Sequence, residues 1–250
     1  MRIFRTAVVS TAVALAVAGP AACDDDSEKS NASKDARVLA DEALALLHGS
    51  EGVRMVGGGD NTGKRQELDV CLRNTDMKGT MKVDGAPVDV VQVGTVVYMK
   101  AEADFWTGTV GPDNPQAAEL GMLLAGKYVK YSTRGEGAEG GTFGNMSNIF
   151  DGSGDGVAKD SVVTIDGRKL VPLSKKNARG NTVTLHVPER GEPFPILVTV
   201  SGSVRMKMTL ARGGEKCVPV VPPADQVIDP EALDRGGDPT APAAPTTARA

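Results

Sequence analysis

Residues 151–156 are the part of the chain that comes nearest to a metal-binding motif. The segment alternates Asp, Ser and Asp and has a glycine at its sixth position, which is how a calcium-binding loop begins. The twelfth position, where such a loop needs a bidentate glutamate, is Val162. Asp160 would serve only in a different geometry. The pattern favours a Gly/Asp loop without metal, and no metal or cofactor is expected.

The two histidines give no sign of a catalytic or metal centre. His48 ends a helical pattern, where a cation suits the helix dipole, and His186 falls on the polar side of a strand. Neither has a second ligand at metal spacing. The sequence has no Gly-x-Ser-x-Gly elbow, no cysteine–histidine pairing, no phosphate-binding loop and no dinucleotide fingerprint. The prediction is a protein that is not an enzyme.

The N-terminus has the pattern of an export signal. Arg2 and Arg5 precede an apolar run, Ala7 to Ala18, that is too short for a confident membrane span. The following segment, Pro20 to Cys23, resembles a bacterial lipobox, although Pro20 stands where an aliphatic residue is usual. This predicts a signal peptide over residues 1–22 and a diacylated Cys23 that anchors the protein to the outer face of the cell membrane. The alternative is an ordinary secretory signal with an incidental cysteine.

The other two cysteines form an even pair once Cys23 carries lipid. Cys71 and Cys217 each fall on the polar side of an alternating strand pattern. In an oxidising compartment, two outward-facing strand cysteines favour a cross-strand disulfide. The alternative is two free thiols, which suit the outside of a cell poorly.

The composition limits the core and the partners. Of the 250 residues 40% are hydrophobic but only 4% are aromatic, so the interior must consist of Val, Leu, Ala and Met. A net charge of -4 and a pI near 5.3, without a basic run interleaved with aromatics, argue against a nucleic-acid partner.

The first half of the chain predicts a tether, a helix and an antiparallel meander. Residues 23–34 are polar and predict a flexible tether. Ser33 is expected to cap a helix over Asp35–His48. A strand begins at Val53 and ends in the turn cluster Gly57–Asn61. The stretch from Glu67 to Trp106 then alternates apolar and polar residues, with an Asp-Gly hairpin turn at residues 84–85.

The second half predicts one more helix and a second meander. A helix is expected over Gln116–Leu124, followed by a Gly-rich loop from Gly135 to Gly144. The tail, residues 231–250, is rich in Pro and Ala and predicts disorder. Further strands are expected at 162–165, 168–173, 182–187, 194–201, 203–210 and 216–221.

Strands with one apolar face need a cover, and a few helices are the only elements that can supply it. The predicted fold is therefore α+β: one domain, residues 35–230, in which a highly curved antiparallel β half-barrel wraps around the helices.

Several segments together resemble actinobacterial envelope lipoproteins of the LppX/LprG type, which are related in fold to the LolA/LolB lipoprotein carriers. The likeness spans roughly Ala36 to Asp229 and consists of strand and turn signatures, not catalytic ones. It implies a LolA-like half-barrel that encloses an apolar cavity for acyl chains, hence a lipid or lipoglycan ligand. A further candidate partner, apart from the resemblance, is an envelope protein. The segments are the Cys23 signal, Met77–Met81, Val93–Lys100, Phe105–Trp106, Gly126–Lys130 and Pro223–Asp229.

Alternation and the resemblance together suggest which residues line such a cavity. Methionine is pliable and fills irregular apolar space, which suits flexible chains. The alternative is that these side chains simply fill the core of a tethered sensor or scaffold module that has no ligand. The candidate lining residues are Leu39, Leu46, Met81, Val97, Met99, Leu123, Met206 and Met208.

Overall fold

The structure is a computed structural model that describes residues 30–111, 113–132, 153–177 and 180–230. Several predictions concern residues outside these ranges and stay predictions. They are the signal peptide, Cys23, residues 24–29 of the tether, the loop from Gly135 to Gly144, the first two residues of the calcium-like segment, and the tail.

The described residues form three helices and a 13-stranded sheet. The helix Ala103–Val110 was not predicted, and Phe194 and Ile196 precede the strand Leu197–Ser201 instead of belonging to it. The elements are α1 (Ala36–His48), β1 (Val53–Asn61), β2 (Lys64–Arg73), β3 (Asp76–Val83), β4 (Ala86–Val93), β5 (Val96–Ala101), α2 (Ala103–Val110), α3 (Ala117–Leu124), β6 (Tyr128–Ser132), β7 (Ala158–Lys159), β8 (Val163–Ile165), β9 (Arg168–Lys176), β10 (Thr182–Pro188), β11 (Leu197–Ser201), β12 (Val204–Arg212) and β13 (Val227–Ile228).

The strands pair in the order β13-β6-β5-β4-β3-β2-β1-β12-β11-β10-β9-β7, and β8 adds to β9. Every pairing is antiparallel except β13 with β6. The first meander, β1 to β6, therefore joins the second, β9 to β12, through β1 and β12. The sheet is curved and does not close, and the predicted α+β class with a curved antiparallel sheet is confirmed.

α1 begins at a different cap from the expected one. The Asp35 carboxylate accepts hydrogen bonds from the backbone N–H groups of Arg37 (2.9 Å) and Val38 (3.3 Å). Ser33 instead donates its hydroxyl to the carbonyl of Ser30 at 2.7 Å. The helix contributes its apolar stripe to the single core, where each fully buried leucine adds roughly 1.5–3 kcal/mol. The buried residues are Leu39, Ala40, Ala43, Leu44 and Leu47.

Residues 30–34, expected in the tether, belong to the folded part. Asn31 is buried, and its backbone N–H donates to the carbonyl of Glu189 at 2.7 Å. Its side-chain amide donates to the carbonyls of Pro188 (2.8 Å) and Gly191 (3.0 Å). These long-range bonds order the segment before α1, so the folded part already includes Ser30.

The Asp-Gly turns are as predicted. Asp84 and Gly85 have φ values of 50° and 88°, and Asp166 and Gly167 have 50° and 75°. Positive φ at both central residues is the type I′ geometry that matches the twist of antiparallel strands.

The turn predicted at Gly57–Asn61 was wrong, because β1 continues to the end of that stretch. A Cβ on Gly57 would lie 2.7 Å from the Cα of Met208, and one on Gly59 would lie 2.7 Å from the Cα of Met206. These glycines are therefore required by the close approach of β12, not by a turn.

Cys71 and Cys217 form the predicted disulfide, with their Cα atoms 4.8 Å apart. The position expected for Cys217 was wrong. It ends a 3-10 helix, Gly214–Cys217, and is fully buried, whereas an exposed place on a strand was predicted. No strand forms over residues 216–221, where Pro219 cannot donate to a ladder.

Candidate functional site

The inner face of the sheet is the side that carries Val53, Val70, Val88, Val90 and Val129, all fully or almost fully buried. Residues opposite one another in an antiparallel ladder point to the same side. The registers of β1 to β6 therefore assign the other inward-facing positions, and the alternate residues form the outer face. The buried residues of α1 belong to the same cluster as the inner face.

The structure divides the eight predicted lining residues into three groups. Leu39, Met206 and Met208 are buried core residues. Leu123, on α3, is 57% exposed and is not part of the core cluster. The remaining four are half-buried and pack against the core cluster: Leu46, Met81, Val97 and Met99.

Three of the half-buried residues flank the same strand. Met81 of β3 is opposite Val88, and Met99 of β5 is opposite Val90, so both flank β4 on the inner face. Val97 is opposite Gln92 one step further along. The flexible side chains of Met81 and Met99 thus lie on either side of the buried Val88 and Val90 and are only half-buried themselves. Together with Val97 they form an apolar surface, which is the candidate site.

Gln92 is a polar side chain inside this surface that sequence reasoning missed. Its amide donates to the carbonyls of Thr75 (2.9 Å) and Gly94 (3.1 Å), so its buried N–H groups are satisfied. Its place in the alternation with Val88 and Val90 was the signal that it faces inward. Because the Gln92 N–H groups already donate to these two backbone carbonyls, they are not available to a ligand, and the surface keeps its apolar character.

Tyr131 extends the same surface at its edge and was also missed. It is opposite Val97 in the register of β5 and β6. Burial raises the pKa of its phenol, so the group stays protonated at neutral pH. It adds an amphipathic ring, apolar in its body and polar at its tip.

The α2–α3 pair packs beside the end of β5. Trp106 is buried and donates its indole N–H to the carbonyl of Ala101 at 3.2 Å, and Phe105 stacks edge-on against it at 5.0 Å. In α3, Gly121 faces α2: a Cβ there would lie 2.9 Å from the Ala103 carbonyl oxygen. Leu123, two positions further along the helix, is on its exposed side.

A cavity lies mainly on the outer face, at the ends of β1, β2 and β3. It has a volume of about 810 Å³. A second cavity of about 360 Å³ lies next to it and shares Asp69 and Thr80. Leu68 and Met81 contribute to the lining of the larger one, but charged groups border it, and these do not suit an acyl chain. These groups are Asp60, Arg65, Glu67, Asp69 and Lys82.

One ion pair organises this outer groove. Arg54 of β1 donates two hydrogen bonds to the Asp69 carboxylate of β2, at 2.8 and 2.6 Å. The hydrogen bonds from Arg54 lower the pKa of Asp69 and keep it ionised. The groove is therefore mixed in charge, with Asp69 paired to Arg54 and Glu67 paired to Arg65 and Lys82.

His186, expected on a polar strand face, is buried. Its Nδ1 has no hydrogen-bond partner within the part of the chain that the structure describes. Burial lowers the pKa of the imidazole, which favours the neutral ring. The covering of the outer face around β10 is a tertiary feature that strand alternation does not reveal.

Among residues 30–111, 113–132, 153–177 and 180–230, no group of three or more His, Cys, Asp or Glu side chains is arranged to hold a metal ion. Over the same residues, no helix combines the length and apolarity required to span a membrane.

Fold and site together define an α+β protein in which an open antiparallel sheet carries a partly covered apolar inner face. No protein-family profile matches the sequence, and no curated protein sequence matches it.

Solved structures that are similar in fold include the following three. Mycobacterium tuberculosis lipoprotein LppX is 15% identical, with 75% of this chain and 99% of that chain aligned at a TM-score of 0.41. A conserved protein from Thermus thermophilus is 10% identical over 78% of this chain and 99% of that chain, at 0.43. The MucA/MucB complex of Pseudomonas aeruginosa matches at 14% identity over 76% of this chain and 65% of that chain, at 0.35. Function therefore has to be inferred from this chain's own residues.

Proposed function

We propose that this protein is exported, is anchored to the outer face of the cell membrane through acylated Cys23, and binds the acyl chains of an amphiphilic lipid on the inner face of its sheet. The observation that carries the proposal is the half-buried apolar surface formed by Met81, Val97 and Met99 beside the buried row of β4. The export signal supports the location, and so does the disulfide, since disulfides persist in oxidising compartments.

The proposed mechanism is burial of methylene groups. Each CH₂ moved from water to an apolar surface contributes about 0.8 kcal/mol, so a chain of ordinary acyl length supplies enough free energy for retention. The two methionines adapt their side chains to the shape of the chain. The headgroup stays outside because the one buried amide in the surface, on Gln92, is already engaged. Release then requires an acceptor that offers equal burial.

The test is native mass spectrometry of the folded part, purified without detergent, followed by titration with a fluorescent C16 fatty acid. Saturable binding of the fatty acid, or a co-purifying lipid, supports the proposal. Absence of both contradicts it.

Neighbouring residues of β3 supply a matched pair of variants. Met81 faces inward and Lys82 outward on the same strand. We expect Met81→Gln to weaken fatty-acid binding about tenfold, because it places an amide in the apolar surface. Lys82→Gln should leave binding within twofold. Equal effects of the two changes would rule out this surface as the site.

A second candidate function is a tethered envelope module that contacts a protein partner and carries no lipid. The outer groove of about 810 Å³, with its mixed charges, favours it. Its predictions are the reverse: no fatty-acid binding, and loss of a partner contact on charge reversal at Lys82 or Arg65.

A further inference from the structure

The C-terminal segment from Cys217 to Asp229, here called the strap, joins two distant parts of the sheet. It starts at Cys71 on β2 and ends where Val227 pairs with Tyr128 of β6. Three strands, β3, β4 and β5, lie between β2 and β6 in the sheet. Four strand spacings amount to about 19 Å, and about ten residues reach roughly 33 Å when extended. The strap therefore spans the distance without tension.

Each end of the strap has its own attachment. Cys217 is held covalently. The far end is held by the two-residue pairing of β13 with β6, by an ion pair of 2.7 Å between Lys130 Nζ and Asp229 Oδ2, and by the Lys127 ammonium, which donates to the Asp225 carbonyl at 3.4 Å.

The middle of the strap contributes little to holding it in place. Val220 is 75% exposed, Val221 is 50% exposed and Val218 is also exposed. Pro222 is buried there. Segments with few buried apolar contacts open locally at low free energy, so the two ends decide whether the strap stays attached.

The disulfide is accessible from one side. Cys71 lines the cavity of about 360 Å³ on the outer face, whereas Cys217 is fully buried. A thiolate that enters this cavity meets the sulfur of Cys71 and expels the sulfur of Cys217.

We infer that the Cys71–Cys217 disulfide is a redox-controlled lock. Its reduction removes one of the two attachments of the strap, so that only the contacts of β13 with β6 still hold it and the edge of β6 opens more readily, while the sheet stays folded. The reductant is a dithiol. One of its thiolates attacks Cys71 Sγ, the bond to Cys217 breaks, and Cys217 leaves as a thiolate that takes up a proton. The second thiol of the reductant then displaces Cys71, which leaves as a thiol, so that two electrons pass to the protein and the reductant becomes a disulfide. The exposed edge of β6 is then open to pairing with a strand of another chain.

The test is hydrogen exchange of the oxidised full-length protein with and without dithiothreitol, because the chain is already folded when the reductant is added. At one minute of exchange we expect strap peptides 218–229 to exchange at least tenfold faster after reduction. Peptides from β1, β2 and β12 should remain protected at that time. Equal protection of the strap in both states overturns the inference, and so does simultaneous loss of protection throughout the sheet.

A variant separates the two attachments. Asp229→Asn removes the ion pair with Lys130, so reduction should release the strap more completely than in the unaltered protein. Glu189→Gln, which alters an ion pair with Lys169 away from the strap, is the control. If Asp229→Asn frees the strap fully while the disulfide is intact, the disulfide is not the lock and the inference fails.

Discussion

Cys217 is fully buried against Cys71, from which 146 residues of sequence separate it, and two glycines make room for it. A Cβ on Gly52 would lie 2.5 Å from the Cβ of Cys217, and one on Gly213 would meet its sulfur. Gly52 comes just before β1 and Gly213 just after β12, so the space for Cys217 depends on both strands. The disulfide is therefore part of the packing where β1 meets β12.

The first prediction concerns this disulfide. Replacing both residues, Cys71→Ser with Cys217→Ser, should lower the free energy of unfolding by about 2–5 kcal/mol, since the unfolded chain regains the entropy of a long loop. Urea denaturation of the variant, with the disulfide-bonded unaltered protein as the reference, measures the change. An unchanged midpoint would show that the disulfide does not stabilise the fold.

The second prediction tests the close approach of β1 and β12. Gly57→Ala should destabilise the protein by about 1–3 kcal/mol, because the added methyl must displace the backbone at Met208. Gly108 on α2 has open space around a Cβ, so Gly108→Ala should be neutral or stabilise by up to about 1 kcal/mol. Thermal unfolding of both variants checks the pair, and similar losses would contradict the account of Gly57.

The third prediction uses two residues of α1. Leu47 is fully buried and Val38 is 50% exposed. We expect Leu47→Ala to cost about 2–5 kcal/mol of stability, from lost transfer free energy and the cavity left behind. Val38→Ala should change stability by no more than about 0.5 kcal/mol. Chemical denaturation measures both, and a small effect at Leu47 would mean that α1 does not pack as described.

The fourth prediction concerns pH. Burial lowers the pKa of His186 below its ordinary value of 6.5, so the unfolded chain takes up a proton that the folded chain resists. The stability contributed by the neutral ring is therefore complete above about pH 6.5 and is lost as the pH falls through the lowered pKa.

Urea midpoints at pH 7.5 and 5.5 measure this dependence. His186→Gln should flatten it over that interval. His48→Gln, at the exposed end of α1, should leave it in place. If both variants keep the full slope, other groups cause it.

Local patterns determined much of the architecture. Strand alternation located β2 to β5, β10 and β12, because a two-residue period is set by which side of a strand meets the core. The turns at residues 84–85 and 166–167 followed from the tolerance of Asp-Gly for positive φ. The apolar stripe of residues 36–48 located α1, and the even number of remaining cysteines indicated the pairing of Cys71 with Cys217.

Tertiary structure alone decided what depends on distant neighbours. Gly57 and Gly59 look like a turn until β12 lies against them, and His186 looks solvated until the outer face around β10 is covered. Met81 and Met208 have the same alternation, yet only Met81 stays half-buried. Alternation specifies the side of the sheet on which a residue lies, but the packing of the helices and neighbouring strands determines how much of that side is covered.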